Sequence, residues 1–185
     1  MHFASARRPA PLFIVLCALL LTPLLHGIAA AAPVAPKPPK AAPDPRTWSL
    51  VKGEGAYVMR YGMPRDPEPD FAVTCQPGAQ LLQFTAEVSG RPFASGEGVA
   101  LTLGNGKRRM ELAATAFLGA ADGNLLVEAA VALERRVFDI FDAGDTLVLR
   151  IPSTRPKTQP VSLSFPLASA KGRFADFERA CLERR

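Results

Sequence analysis

The chain has 185 residues, a formal charge of +5 and a hydrophobic content of 48%. That length supports one hydrophobic core and, once an N-terminal segment is set aside, is too short to suggest two. The positive excess is mild and no recognition motif accompanies it, which argues against a dedicated nucleic-acid binder.

At the start, Arg7 and Arg8 precede an apolar run from Pro11 to Leu25, which gives way to the small residues Ala29 to Ala32. This is the order of a secretory signal peptide, expected over residues 1–31. Cleavage after Ala31 places Ala29 and Ala31 at the small-residue positions and makes Ala32 the first mature residue. Cleavage one residue later would leave Pro33 at the new N-terminus, which signal peptidases tolerate poorly. Cys17 follows Phe13, Ile14, Val15 and Leu16 rather than small residues, so a lipid-attachment reading fails. The alternative is an uncleaved anchor, since the Ala-rich tail lengthens the apolar run toward the roughly 20 residues that span a bilayer. Pro23 and His26 interrupt the run and favour cleavage. Either outcome places the rest of the chain outside the cytoplasm, in the periplasm or secreted.

Removal of residues 1–31 takes away both histidines, His2 and His26, and lowers the formal charge from +5 to +3 through the loss of Arg7 and Arg8. Of three cysteines, Cys75 and Cys181 remain, an even number in an oxidising compartment, which predicts a disulfide. Closing a loop of about a hundred residues stabilises a fold by about 4–5 kcal/mol in the chain-entropy treatment. The rival reading, a reactive thiol pair, lacks the CxxC spacing that lowers a thiol pKa.

Residues 32–46 are dominated by Pro and Ala, with Lys37, Lys40, Asp44 and Arg46 as the charges. Such a stretch builds no core and reads as an extended spacer or a disordered mature N-terminus. Residues 47–185 then form a single β-rich domain. Short apolar runs separated by turn residues predict antiparallel strands at 47–51, 56–61, 71–74, 81–88, 99–103, 109–117, 124–131, 146–151 and 161–165. The clearest hairpin follows Leu103, where Gly104, Asn105 and Gly106 suit the positive backbone angles of a tight turn. Gly96 and Gly98 mark the loop that leads into that strand.

Two segments depart from the alternating pattern. Leu133, Val137, Ile140 and Phe141 recur at helical spacing between Ala132 and Asp142, and Ala143, Gly144 and Asp145 supply a stop. Later, Phe174, Phe177 and Cys181 fall on one helical face, so the disulfide is expected to pin a terminal helix onto the sheet near Cys75. The expected fold is therefore mainly β, an antiparallel β-sandwich with two short helices and one disulfide.

An amphipathic helix, a Gly-Asp step, a strand, a second strand ending in Phe165-Pro166-Leu167, and a helix ending in Ala180-Cys181 together resemble the end of the invasion-associated locus B family. They also resemble related periplasmic proteins associated with type VI secretion. Trp48 and Cys75 are similar to residues near the start of such domains. The resemblance implies a secreted or periplasmic β-sandwich without known catalytic residues. The chain departs from that pattern at Ala168-Ser169-Ala170-Lys171, reaching Gly172 later than such proteins do. Tyr61-Gly62-Met63-Pro64, followed by Phe71 and Cys75, is also similar to uncharacterised exported proteins of Gram-negative bacteria.

Without histidine, the mature domain builds neither a Ser-His-Asp nor a Cys-His site, nor a histidine-containing zinc site. Glu111 and Glu128, on neighbouring predicted strands, are the candidate carboxylate pair for glycosidic cleavage, set against a solvated strand face. Asp139, Asp142 and Asp145 raise the question of calcium but lack the looped pattern with its distal glutamate, and read as a solvated helix end. Asp66, Glu68 and Asp70 alternate with Pro67 and Pro69 and read as an extended acidic loop.

Lys107, Arg108 and Arg109 form the densest basic run, which Arg150, Arg155, Lys157, Lys171 and Arg173 would enlarge if the fold gathers them. Such a surface suits an anionic partner, and equally suits a charged hairpin tip that discourages edge-to-edge aggregation. The expectation is a non-enzymatic periplasmic or secreted envelope-accessory module without cofactor or metal. Its partner would be an envelope protein or an anionic envelope polymer, not nucleic acid, with the membrane entering only through an uncleaved anchor. The alternatives are a histidine-free envelope hydrolase using a carboxylate pair and a secreted virulence accessory.

Overall fold

Side-chain alternation sets the sheet. In the strand Leu81–Val88, Leu82, Phe84, Ala86 and Val88 are buried while the residues between them are half-exposed, the period-two pattern of a strand with one face on a core. The computed structural model describes residues 43–120, 123–153, 155–156 and 159–183. The expected signal segment with Cys17, most of the Pro/Ala spacer, and Lys157 lie outside the described residues. No helix among the described residues is long and apolar enough to cross a membrane.

The chain runs through β1 (Thr47–Lys52), β2 (Tyr57–Gly62), β3 (Phe71–Gln76), a 3-10 turn (Pro77–Ala79), β4 (Leu81–Val88), β5 (Gly98–Asn105), β6 (Arg108–Leu118) and β7 (Leu125–Ala132). It continues with α1 (Arg135–Asp142), β8 (Thr146–Ile151), β9 (Val161–Pro166) and α2 (Lys171–Leu182). All strand pairings are antiparallel, and the nine strands form one hydrogen-bonded sheet in the order β1-β2-β3-β4-β7-β6-β5-β8-β9. The expected mainly β fold with two helices and a disulfide is the observed one. Its strands form a single curled sheet.

Strands β5, β6 and β7 form a meander, and the chain returns through α1 to lay β8 beside β5, a Greek-key step. The helix begins at Arg135 rather than at Ala132 because the sheet claims the residues before it. Ala132 pairs with Leu81, and the Leu133 N–H donates to the Gln80 carbonyl at 2.8 Å. Within α1, Val137, Phe138, Ile140 and Phe141 are all buried.

The curl brings β9 to the face of β1 and β2. The Trp48 indole N–H donates to the Pro166 carbonyl at 2.6 Å, and the Phe165 ring stacks on Phe71 at 4.6 Å between centroids. Trp48 also meets Tyr61 at 5.3 Å and Phe174 of α2 at 4.8 Å, while Phe174 stacks on Phe141 of α1 at 4.2 Å. The Cys75–Cys181 disulfide fastens α2 to β3, with Cα atoms 6.0 Å apart and both residues buried. A bridge of this kind points to an oxidising compartment outside the cytoplasm.

Candidate functional site

The basic run sits at the tip of the β5–β6 hairpin, where Gly106 and Lys107 are the two connecting residues. Among the residues expected to supply the turn, Gly106 alone takes a positive φ, of 58°; Gly104 and Asn105 stay in β5. A side chain at position 106 is excluded twice, by that angle and because a Cβ would lie 3.1 Å from the Ala143 carbonyl oxygen. Gly144 is constrained from the other side, since a Cβ there would lie 2.5 Å from Asn105 Oδ1. Two glycines thus let the hairpin tip press against the turn between α1 and β8.

Asn105 locks that contact. It is 2% exposed, and its Nδ2 donates to the Ile140 carbonyl at 2.8 Å, while its Oδ1 accepts no hydrogen bond. Sequence reasoning took Asn105 for a turn residue. Its position as the last inward-facing residue of β5 follows from alternation with Leu101 and Leu103, which was the available signal.

Lys107, Arg108 and Arg109 are all exposed. Arg108 Nη2 lies 3.6 Å from Asp139 Oδ2, and Arg109 Nη2 donates to Glu111 Oε1 at 2.8 Å. Both pairs are solvent-exposed and contribute little to stability. Of the other basic residues, Arg150 joins the site: Arg109 stands opposite Gly104, which stands opposite Val148, two residues from Arg150 on β8. No ion pair holds Lys107 or Arg150 among the described residues. Arg155 is drawn away to Glu97 at 3.1 Å, Lys171 to Asp145 at 2.8 Å, and Arg173 to the Ser169 carbonyl at 3.3 Å.

The acidic candidates fall elsewhere. Glu111 and Glu128 share the outer face of neighbouring strands, but Glu128 stands opposite Thr115, four residues along from Glu111. That staggers their backbones by roughly 13 Å along the strands. Asp139 and Asp145 pair with Arg108 and Lys171, and no cluster suited to a metal occurs among the described residues. The segment Asp66–Asp70 bends rather than extends, with Asp66 Oδ1 accepting from the Glu68 N–H at 3.0 Å.

Negative charge collects around that bend. Burial first, then Asp70, Glu68 and Asp66, push the Glu87 carboxyl above its ordinary value. At its border, Arg46 bridges Asp44 at 2.6 Å and Asp70 at 2.9 Å and lies over the Tyr61 ring. Its hydrogen bonds hold the Asp44 carboxyl down to about 2. The protein therefore carries a basic patch at the β5–β6 tip and an acidic one beside β4.

No family model matches the chain, and no curated protein matches it. Among solved structures, the chain is similar to invasion associated protein B from Bartonella henselae, at 11% identity and a TM-score of 0.44, over 76% of this chain and 99% of that one.

Proposed function

We propose that the protein is a non-enzymatic binding module of the Gram-negative envelope, periplasmic or secreted, that meets an anionic partner through Lys107, Arg108 and Arg109. The observation that carries this reading is the exposed basic tip: Lys107 has no ion pair among the described residues, and its two neighbours have only solvent-exposed ones. A charged turn that merely blocks aggregation needs no rigid seat, whereas this one is anchored by buried Asn105. The partner is an envelope protein or an anionic envelope polymer, and the contact is electrostatic, so it weakens with salt.

The test is retention of the purified mature protein on isolated envelope material, with and without about 0.5 M salt. Retention that falls in salt and is lost on replacing Lys107, Arg108 and Arg109 with Ser supports the reading. Retention unaffected by the triple substitution removes it.

A further inference from the structure

A groove of about 760 Å³ crosses the outer face of the sheet from the hairpin tip to β9. Its course follows the register: Arg109 on β6, Gly104 on β5 and Val148 on β8 lie in one row, and Glu111, Thr102, Arg150 and Ser162 in the next. Gly104 leaves the floor bare between the two guanidinium groups. A Cβ there would meet nothing nearer than the Arg108 carbonyl oxygen at 3.9 Å.

Three features limit what fits. Among the described residues the lining holds the outer-face guanidinium groups of Arg109 and Arg150 and no carboxylate, with Glu111 beside it on Arg109, so the groove favours an anionic occupant. Among the described residues it holds no aromatic ring, the surface on which bases stack, which disfavours a nucleic acid strand. Its remaining wall is aliphatic and proline-rich, with Val148, Pro152, Pro160 and Val161, which suits apolar side chains. The passage from β6 to β9 crosses three inter-strand steps, roughly 14 Å, or about four residues of extended chain. Guanidinium forks match carboxylates in two parallel hydrogen bonds.

We propose that this groove binds an extended acidic peptide of a partner protein, with carboxylates four residues apart on Arg109 and Arg150 and an apolar residue midway, on the same face, over Gly104. The proposal rests on the anionic-partner reading above and narrows it to one ligand class. Glu111 occupies Arg109 in the free protein, so the incoming carboxylate competes with it.

The probe is a short fluorescent peptide with Glu at its first and fifth positions, Val at its third and Ser between, with Gln in place of Glu as control, titrated against the mature chain by anisotropy. Saturable binding of the Glu peptide alone is expected. The R109S/R150S double variant should weaken it by about tenfold or more. Gly104→Leu should weaken it similarly while leaving thermal unfolding unchanged, and Glu111→Gln should tighten it. Equal binding by wild type, Gly104→Leu and the double variant overturns the proposal. So does displacement of the peptide by a bis-phosphorylated disaccharide at far lower concentration, which would give the groove to a glycan. Envelope retention that needs Lys107–Arg109 but ignores Gly104→Leu and Arg150→Ser sinks the groove and leaves the binding module standing. Retention indifferent to all of these sinks both.

Discussion

The two ends of the sheet are held in different ways. Where β1, β2 and β3 meet β9 and α2, five aromatic rings, an indole hydrogen bond and a disulfide close the structure on itself. At the β5–β6 tip, one buried amide and one exposed ion pair, Arg108 with Asp139, tie the hairpin to α1. The contrast separates stability from recognition: substitutions at the closed end should unfold the protein, and substitutions at the tip should change what it binds.

The largest effect should come from replacing both Cys75 and Cys181 with Ser. The bond closes a separation of 106 residues, for which the chain-entropy treatment gives about 4–5 kcal/mol. Denaturant unfolding measures the loss, and an unchanged midpoint would mean that the aromatic packing suffices. Next, Trp48→Ala should cost about 3–5 kcal/mol as a large ring is deleted from the core. Trp48→Phe should cost about 1–2 kcal/mol, because the Pro166 carbonyl loses its donor.

At the tip, Asn105→Ala should cost about 1–3 kcal/mol by stranding the Ile140 carbonyl. It should also loosen the hairpin, visible as faster amide exchange at residues 106–109. An Asn105→Ala protein as stable as wild type would leave the tip without its anchor and erase the contrast from that side. Replacing Lys107, Arg108 and Arg109 with Ser should change stability by no more than about 0.5 kcal/mol while abolishing envelope retention. A large destabilisation would show the tip to be structural.

The smallest effect lies at the acidic patch. Because the Glu87 carboxyl is raised in the folded protein, its ionised form at neutral pH opposes folding, and that opposition disappears as pH falls below its ordinary value of 4.5. Glu87→Gln should therefore raise the melting temperature by about 1–3 °C at pH 7 and leave it unchanged near pH 3. A gain that persists in acid would assign the effect to packing rather than charge.

The strands were legible because turn residues punctuate them: Gly53, Gly55, Gly90, Gly96 and Gly123 all fall between elements. The disulfide was legible from the parity of cysteines outside the expected signal segment. Strand order was not, because the return of β8 to β5 depends on contacts far apart in sequence. The site was half visible. Lys107, Arg108 and Arg109 are contiguous, but Arg150 reaches them only through the register of β5 with β8, and Arg155, Lys171 and Arg173 leave for partners that no local pattern announces. Phe138 escaped the apolar stripe of α1 because it sits beside Val137, and the packing of Phe177 accounts for its burial.

The cross-link between β3 and α2 also works as a check on completeness. A ribosome delivers position 181 long after position 75, so the earlier sulfur waits, unpaired, through more than half of synthesis. A prematurely terminated product lacking α2 can never seal, and it offers Trp48 no Phe174 to pack against. Such fragments keep a free thiol and an open core, the marks by which proteases and oxidoreductases sort unfinished polypeptides from finished ones.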